Sequence, residues 1–144
     1  MPDLVDLHLH STFSDGVLTP TELVTEAAGL GLRAIALADH DNVDGIPEAI
    51  AAGRKFGVEV ISAVELSVVW NEYQDLHLLG YAFDHENQAF QDALAEFRDF
   101  RAGRSQRIVE NINRQLADEG RQPLDPADIR KRAGGTIGRP HIGH

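Results

Sequence analysis

Arg33-Ala34-Ile35-Ala36-Leu37-Ala38 runs directly into Asp39-His40-Asp41. A short apolar run that ends in three ionisable residues reads as a buried strand with polar chemistry at its carboxyl end. Outward from it the same alternation repeats. Leu4 to Leu9 is a short apolar-rich strand. Thr19-Pro20-Thr21-Glu22 is a helix start, with Thr19 as N-cap, Pro20 at the first helical position and Glu22 closing a capping box. That helix is expected to reach about Leu30 and to stop at Gly31. A second helix is expected over Val43 to Phe56, capped by Asp41 or Asn42 and ended by Gly57. Val58 to Leu66 is a third strand, and Asp75 to Phe83 a fourth, reached through a tight turn at Asn71-Glu72. Strands alternating with helices over short loops predict an α/β fold, with a parallel sheet and right-handed crossovers.

The character changes after about Asp84. Asn87 to Glu119 reads as a long helix with few β-branched residues. Arg98, Arg101, Arg104 and Arg107 recur along it and read as a solvated face balancing Glu96, Asp99 and Glu110. Asp125-Pro126-Ala127-Asp128 is a further N-cap signature, with a short helix expected to about Ala133. A glycine-rich loop, Gly134 to His141, follows. There are no internal repeats.

At 144 residues the chain has the length of one domain, or of one domain with a small insert. Apolar residues at 42% and charged residues at 25% exclude a disordered polyampholyte. No apolar run is long enough to span a membrane, and the first residues carry no basic n-region, so a cytoplasmic protein is expected. With no cysteine, disulfides and thiolate metal sites are excluded. Thirteen basic against 23 acidic residues give a net charge of −10, which argues against stable binding of duplex DNA. It also opposes an anionic substrate unless bound cations offset it.

Histidine carries the chemistry. His8 and His10 lie two apart near the end of the first strand, and residues so spaced face one side. His40 follows the second strand, and Glu65 is expected to end the third. His77 sits between leucines in the fourth, where an imidazole costs desolvation without a partner. Taken singly, each is as easily a surface residue or a paired core residue. Together, four successive strands each present an imidazole or a carboxylate near one end. Asp15, in Ser14-Asp15-Gly16, is either turn chemistry or a residue folded back over that cluster. Nitrogen and carboxylate oxygen without thiolate favour Zn²⁺, Mn²⁺ or Fe²⁺. Six candidate ligands point to two or three ions, with Glu65 bridging. In the loop Gly138-Arg139-Pro140-His141, Arg139 either grips a phosphate bidentately or is a structural arginine, and His141 contacts substrate or caps a helix.

Asp6-Leu7-His8-Leu9-His10-Ser11, Asp15-Gly16, Asp39-His40-Asp41, Val64-Glu65-Leu66-Ser67 and Leu76-His77-Leu78-Leu79-Gly80-Tyr81 resemble the successive motifs of the PHP (polymerase and histidinol phosphatase) family of metal-dependent phosphoesterases. Gly138 to Ile142 is similar to the motif that follows a helical insertion in the subgroup acting on nucleoside 3′,5′-bisphosphates and on the 5′ ends of short RNA. The resemblance implies a distorted (β/α)7 barrel, here only its N-terminal strands and helices plus the insertion. Barrel would occupy residues 1–86, insertion 87–134, and barrel again 135–144, with the chain ending before closure. It implies one ion on His8, His10 and Glu65, a second on Glu65 and His77, and a third on Asp15 and His40. Mn²⁺ is the expected ion, and a water activated by it the nucleophile. The substrate is expected to be a small phosphorylated molecule, a nucleotide or short oligonucleotide. Two other readings are a proofreading nuclease module of a polymerase, and a truncated metal-binding module without turnover.

Overall fold

The computed structural model of the chain describes residues 4–127, the side chains of Gln74 and Asp75 excepted. The described elements are strand β1 (Val5–Leu9), helix α1 (Pro20–Gly29), β2 (Ala34–Leu37), α2 (Ile46–Phe56), β3 (Glu59–Trp70), β4 (Tyr73–Tyr81) and α3 (Gln88–Asp118). One four-stranded sheet runs in the order β1-β2-β3-β4. β1, β2 and β3 are parallel, joined by crossover helices α1 and α2. The fourth strand departs from the expectation: β4 is antiparallel to β3. The connection, Asn71-Glu72 between Trp70 and Tyr73, is too short to carry a chain back to the starting edge. Asn71 takes the left-handed φ of 54° that closes the hairpin. The two edge strands approach each other: the Tyr81 hydroxyl of β4 donates to the Leu7 carbonyl of β1 at 2.8 Å. Among the described residues, no helix is long and apolar enough to cross a membrane.

The pleat of β2 sorts side chains by size. Ile35 and Leu37 point towards α1 and α2, where they join Val24, Ala27, Ala49, Ala52 and Val58 in one core cluster. Ala36 and Ala38 point the other way and meet Ala63 of β3. Large residues therefore fill the helix side, and on the other side the three alanines lie fully buried with Ile61 and Leu79 packed against them. A second cluster of Val43, Ile46, Val64 and Leu94 seats α3 against α2 and β3.

The expected capping box of α1 forms: Glu22 N–H donates to Thr19 Oγ1 at 3.2 Å, and Thr19 N–H donates to Glu22 Oε2 at 2.8 Å. The Thr19 amide and hydroxyl together hold the exposed Glu22 carboxyl below its ordinary range. Helix α2 begins at Ile46, three residues later than expected, with Gly45 as its cap. Asp41 and Asn42 do not cap it: the Asp41 carboxylate accepts from Ser67, and Asn42 Oδ1 accepts from Asp44 N–H, ahead of the helix. Asp125 Oδ1 accepts from Ala127 N–H at 2.8 Å, and the expected short helix beyond lies outside the described residues.

Two helical glycines differ in what a methyl group would meet. A Cβ on Gly53 in α2 would lie 2.5 Å from the Val58 carbonyl oxygen and 2.7 Å from Val60 Cγ2, so only hydrogen fits between α2 and β3. A Cβ on Gly103 in α3 would meet nothing within 4 Å. Gly53→Ala should destabilise the fold by about 1–3 kcal/mol through overpacking. Gly103→Ala should stabilise it by about 0.5–1 kcal/mol through helix propensity. Urea unfolding of both variants checks the opposite signs, and equal signs would show that α2 does not approach β3 this closely.

Candidate metal centre

His8 and His10 reach the concave face through an irregularity in β1. Asp6 pairs with Ile35 but Leu9 with Leu37, so β1 holds one residue more than β2 over this stretch. A bulge of this kind re-aims the side chains after it. It sends Leu9 to the helix side, against the core, and His8 and His10 to the other. Glu65 is not at the end of its strand as expected. It lies inside β3, which continues well past the end of β2. His40, just beyond β2, forms a parallel bridge with Glu65, through Asp41 N–H to the Glu65 carbonyl at 3.0 Å and Glu65 N–H to the Asp39 carbonyl at 3.2 Å. On β4, Leu79 is directly opposite Glu65, and His77 is its diagonal neighbour on the same face.

These placements surround one buried carboxylate with four imidazoles. Glu65 Oε2 lies 2.8 Å from His8 Nε2, 3.0 Å from His10 Nε2 and 3.7 Å from His40 Nδ1. Its other oxygen contacts His77 Nδ1. The His8 and His10 Nε2 atoms are 3.1 Å apart, and the His10 and His40 rings stack at 4.6 Å. Asp15 closes the far side, 3.7 Å from His10 Nδ1 and 3.5 Å from His40 Nε2. All six residues singled out in the sequence as ligands thus lie together, whereas Arg139 and His141 lie outside the described residues. They fall into three overlapping groups: His8, His10 and Glu65; His10, Asp15 and His40; and His40, Glu65 and His77. In each group the ligand atoms lie within 4.8 Å of one another.

Burial pushes the Glu65 carboxyl up, but hydrogen bonds from His8 and His77 and the charges of His40 and His10 outweigh it and hold it below the ordinary range. Burial, then the charge of His40, pushes His10 down against the opposing pull of Asp15 and Glu65. Both shifts favour the forms that bind metal, an ionised carboxylate and a neutral imidazole. His10 Nδ1 is buried without a hydrogen-bond partner, 3.7 Å from an Asp15 oxygen, and is the kind of orphaned polar atom that a bound ion would satisfy. The donor set therefore fits divalent ions with nitrogen and oxygen preference.

Two further carboxylates frame the cluster: Asp39, assigned no role of its own from the sequence, and Asp41, expected there only as a helix cap. Asp39 is buried and accepts from Ser11 N–H at 2.7 Å, Ser11 Oγ at 2.7 Å and Ser14 Oγ at 2.6 Å. It fixes the loop that carries His10 and Asp15. Gly16 turns that loop so tightly that a Cβ there would lie 2.2 Å from the His10 carbonyl oxygen. Asp41 is also buried and accepts from Ser67 N–H at 2.8 Å, Ser67 Oγ at 2.9 Å and Arg101 Nη1 at 2.6 Å. Arg98 Nη1 donates to the Asp41 carbonyl at 2.9 Å. Arg98 and Arg101 are thus anchors of α3, not the solvated face expected. The available signal was Asp39-His40-Asp41 itself: directly after a buried strand, carboxylates flanking a functional residue need interior donors.

A comparison of this chain with known proteins agrees with the geometry. It is 40% identical over 109 residues to a 5′-3′ exoribonuclease of Haemophilus influenzae, a match covering 76% of this chain and 39% of the relative. It is 38% identical over 104 residues to a 3′,5′-nucleoside bisphosphate phosphatase of Chromobacterium violaceum, covering 72% of this chain and 36% of the relative. A solved structure from Bifidobacterium adolescentis, described as a metal-dependent phosphoesterase, superposes with a TM-score of 0.80 at 33% identity, covering 96% of this chain and 47% of that one. The chain spans less than half the length of these relatives. The PHP domain profile matches residues 6–119, a span holding all six clustered side chains, and the chain belongs to the PHP family.

Proposed function

We propose that the chain carries the metal-binding part of a divalent-metal-dependent phosphoesterase that hydrolyses phosphomonoesters of nucleotides. The substrate in this reading is a nucleoside 3′,5′-bisphosphate or the 5′ end of a short oligonucleotide. The observation that carries it is the convergence of four imidazoles and Asp15 on one buried carboxylate, in three overlapping ligand groups. The names of the relatives support the substrate class.

In this reading His8, His10 and Glu65 hold one ion. Glu65 and His77 hold a second with His40 in reach, and Asp15 and His40 hold a third with His10 in reach. Mn²⁺ is the proposed ion. Ions bound there supply Lewis acidity towards a phosphoryl oxygen and lower the pKa of a coordinated water. The chain's own residues provide the rest. Glu65 presents both oxygens and bridges. His10, pushed towards its neutral form, offers a lone pair near neutral pH. The chain's charge of −10 opposes an anionic ester, and divalent ions held by this cluster would offset it locally. Arg139 and His141 are the proposed phosphate contacts.

With Mn²⁺, the full-length protein that carries this chain should release phosphate from a nucleoside 3′,5′-bisphosphate faster than Mn²⁺ alone. Release no faster than the metal-only control, with ions bound to the chain, would remove the phosphoesterase reading and leave the metal centre. The shared bridge gives a second expectation. His8→Ala and Glu65→Ala should each abolish the same Mn²⁺-dependent rise in thermal midpoint, and the double variant should resemble either single. Losses that add, or a wild-type midpoint unchanged between Mn²⁺ and chelator, would contradict a common ion.

A further inference from the structure

We propose that Asp41 is a positioning residue whose carboxylate ties the backbone beside His40 and Glu65 to helix α3, so that the docking of α3 sets the geometry of the histidine cluster. The inference rests on the metal-centre reading only for its consequence in metal affinity.

Asp41 is 1% exposed, and it takes a left-handed φ of 50°. Residues with a Cβ avoid that region, and Asp and Asn are among the few that visit it. The turn falls immediately after His40 and directs the two side chains apart. His40 faces Glu65 and Asp15, while Asp41 faces β3 and α3. Its backbone works in both directions too. The N–H donates to the Glu65 carbonyl at 3.0 Å, and the C=O accepts from Arg98 at 2.9 Å.

Three donors converge on the carboxylate: Ser67 N–H, Ser67 Oγ and Arg101 Nη1. Arg101 Nη1 also lies 3.1 Å from Ser67 Oγ, which closes a three-membered polar network. Ser67 is two residues beyond Glu65 on β3 and directly opposite His77 on β4. The network therefore touches the chain next to three of the clustered residues, His40, Glu65 and His77, without entering the cluster. Arg98 and Arg101 stand one turn apart on α3, and Arg98 also approaches the Asp44 carboxylate at 3.6 Å. A buried carboxylate of this kind cannot lose a donor cheaply, so a shift of α3 must be transmitted to Asp41 and to the peptide it shares with His40.

The test separates backbone from side chain. Asp41→Gly keeps the left-handed turn and removes the carboxylate, Asp41→Asn keeps an acceptor but loses the ion pair, and Arg101→Met removes the α3 tie to the carboxylate while leaving Asp41 and Arg98 in place. In metal-free protein with ¹⁵N-labelled histidine, the His40 ring signals should move in all three variants, and by more than those of His8, whose strand the network does not touch. Mn²⁺ affinity, read by electron paramagnetic resonance, should fall about tenfold or more, as when partners that orient metal ligands are lost. Asp41→Asn combined with Arg101→Met should be no worse than the more affected single variant. Thr19→Ala, which removes a distant helix cap, should lower the unfolding midpoint and leave His40 in place. Unmoved His40 signals in folded Asp41→Gly and Arg101→Met would overturn the proposal, as would unchanged Mn²⁺ affinity in both. If the wild type takes up no Mn²⁺, the metal reading fails, and the His40 signals alone decide the positioning role. Should Asp41→Gly not fold, Arg101→Met and Ser67→Ala, which leave the turn intact, decide it.

Discussion

A carboxylate held 5% exposed at the centre of four imidazoles is the constraint on which the rest of the molecule turns. An isolated carboxylate in such a place costs too much to keep. Glu65 is kept because His8, His10, His40 and His77 reach it from β1, from the loop after β1, from the end of β2 and from β4. Sheet order is thereby linked to chemistry. Parallel β1 and β2 bring their carboxyl ends to the level of Glu65, and β3 runs on past them to be met by its antiparallel partner.

The frame around this centre is small-residue packing below and polar fastening at the sides. Ala36, Ala38 and Ala63 form a fully buried cluster against which Ile61 and Leu79 pack. The extra residue in β1 turns His8 and His10 inward while leaving Leu9 in the core. Asp39 holds the loop of His10 and Asp15, and Asp41 holds β3 and α3, so the residues on either side of His40 fasten opposite walls of one site. Partners that orient ligands are as much a part of a metal centre as the ligands themselves.

Much of this was legible in the sequence, for local reasons. Thr19 to Glu22 announces α1 because a capping box is made within one turn. Gly57 announces the end of α2 because the left-handed cap needs no distant partner. The clustered residues stood out because an imidazole or carboxylate at the edge of an apolar run costs desolvation, and a cost repeated on four strands implies a shared partner. What was not legible depends on pairing across space. The direction of β4 is the exception, since the two-residue turn at Asn71-Glu72 is too short for the crossover that a parallel partner needs. The bulge in β1 is a matter of register with β2, which the β1 sequence does not state. Arg98 and Arg101 look like ordinary helix-surface charges until α3 is docked on Asp41.

The claim that Glu65 is shared between ions is tested most directly by anomalous diffraction at the manganese edge from crystals grown with Mn²⁺. At least two peaks are expected, each within bonding distance of a Glu65 oxygen, one beside His8 and His10 and one beside His77. Glu65 still bonded directly to the imidazoles, with no anomalous peak near it, would contradict the account.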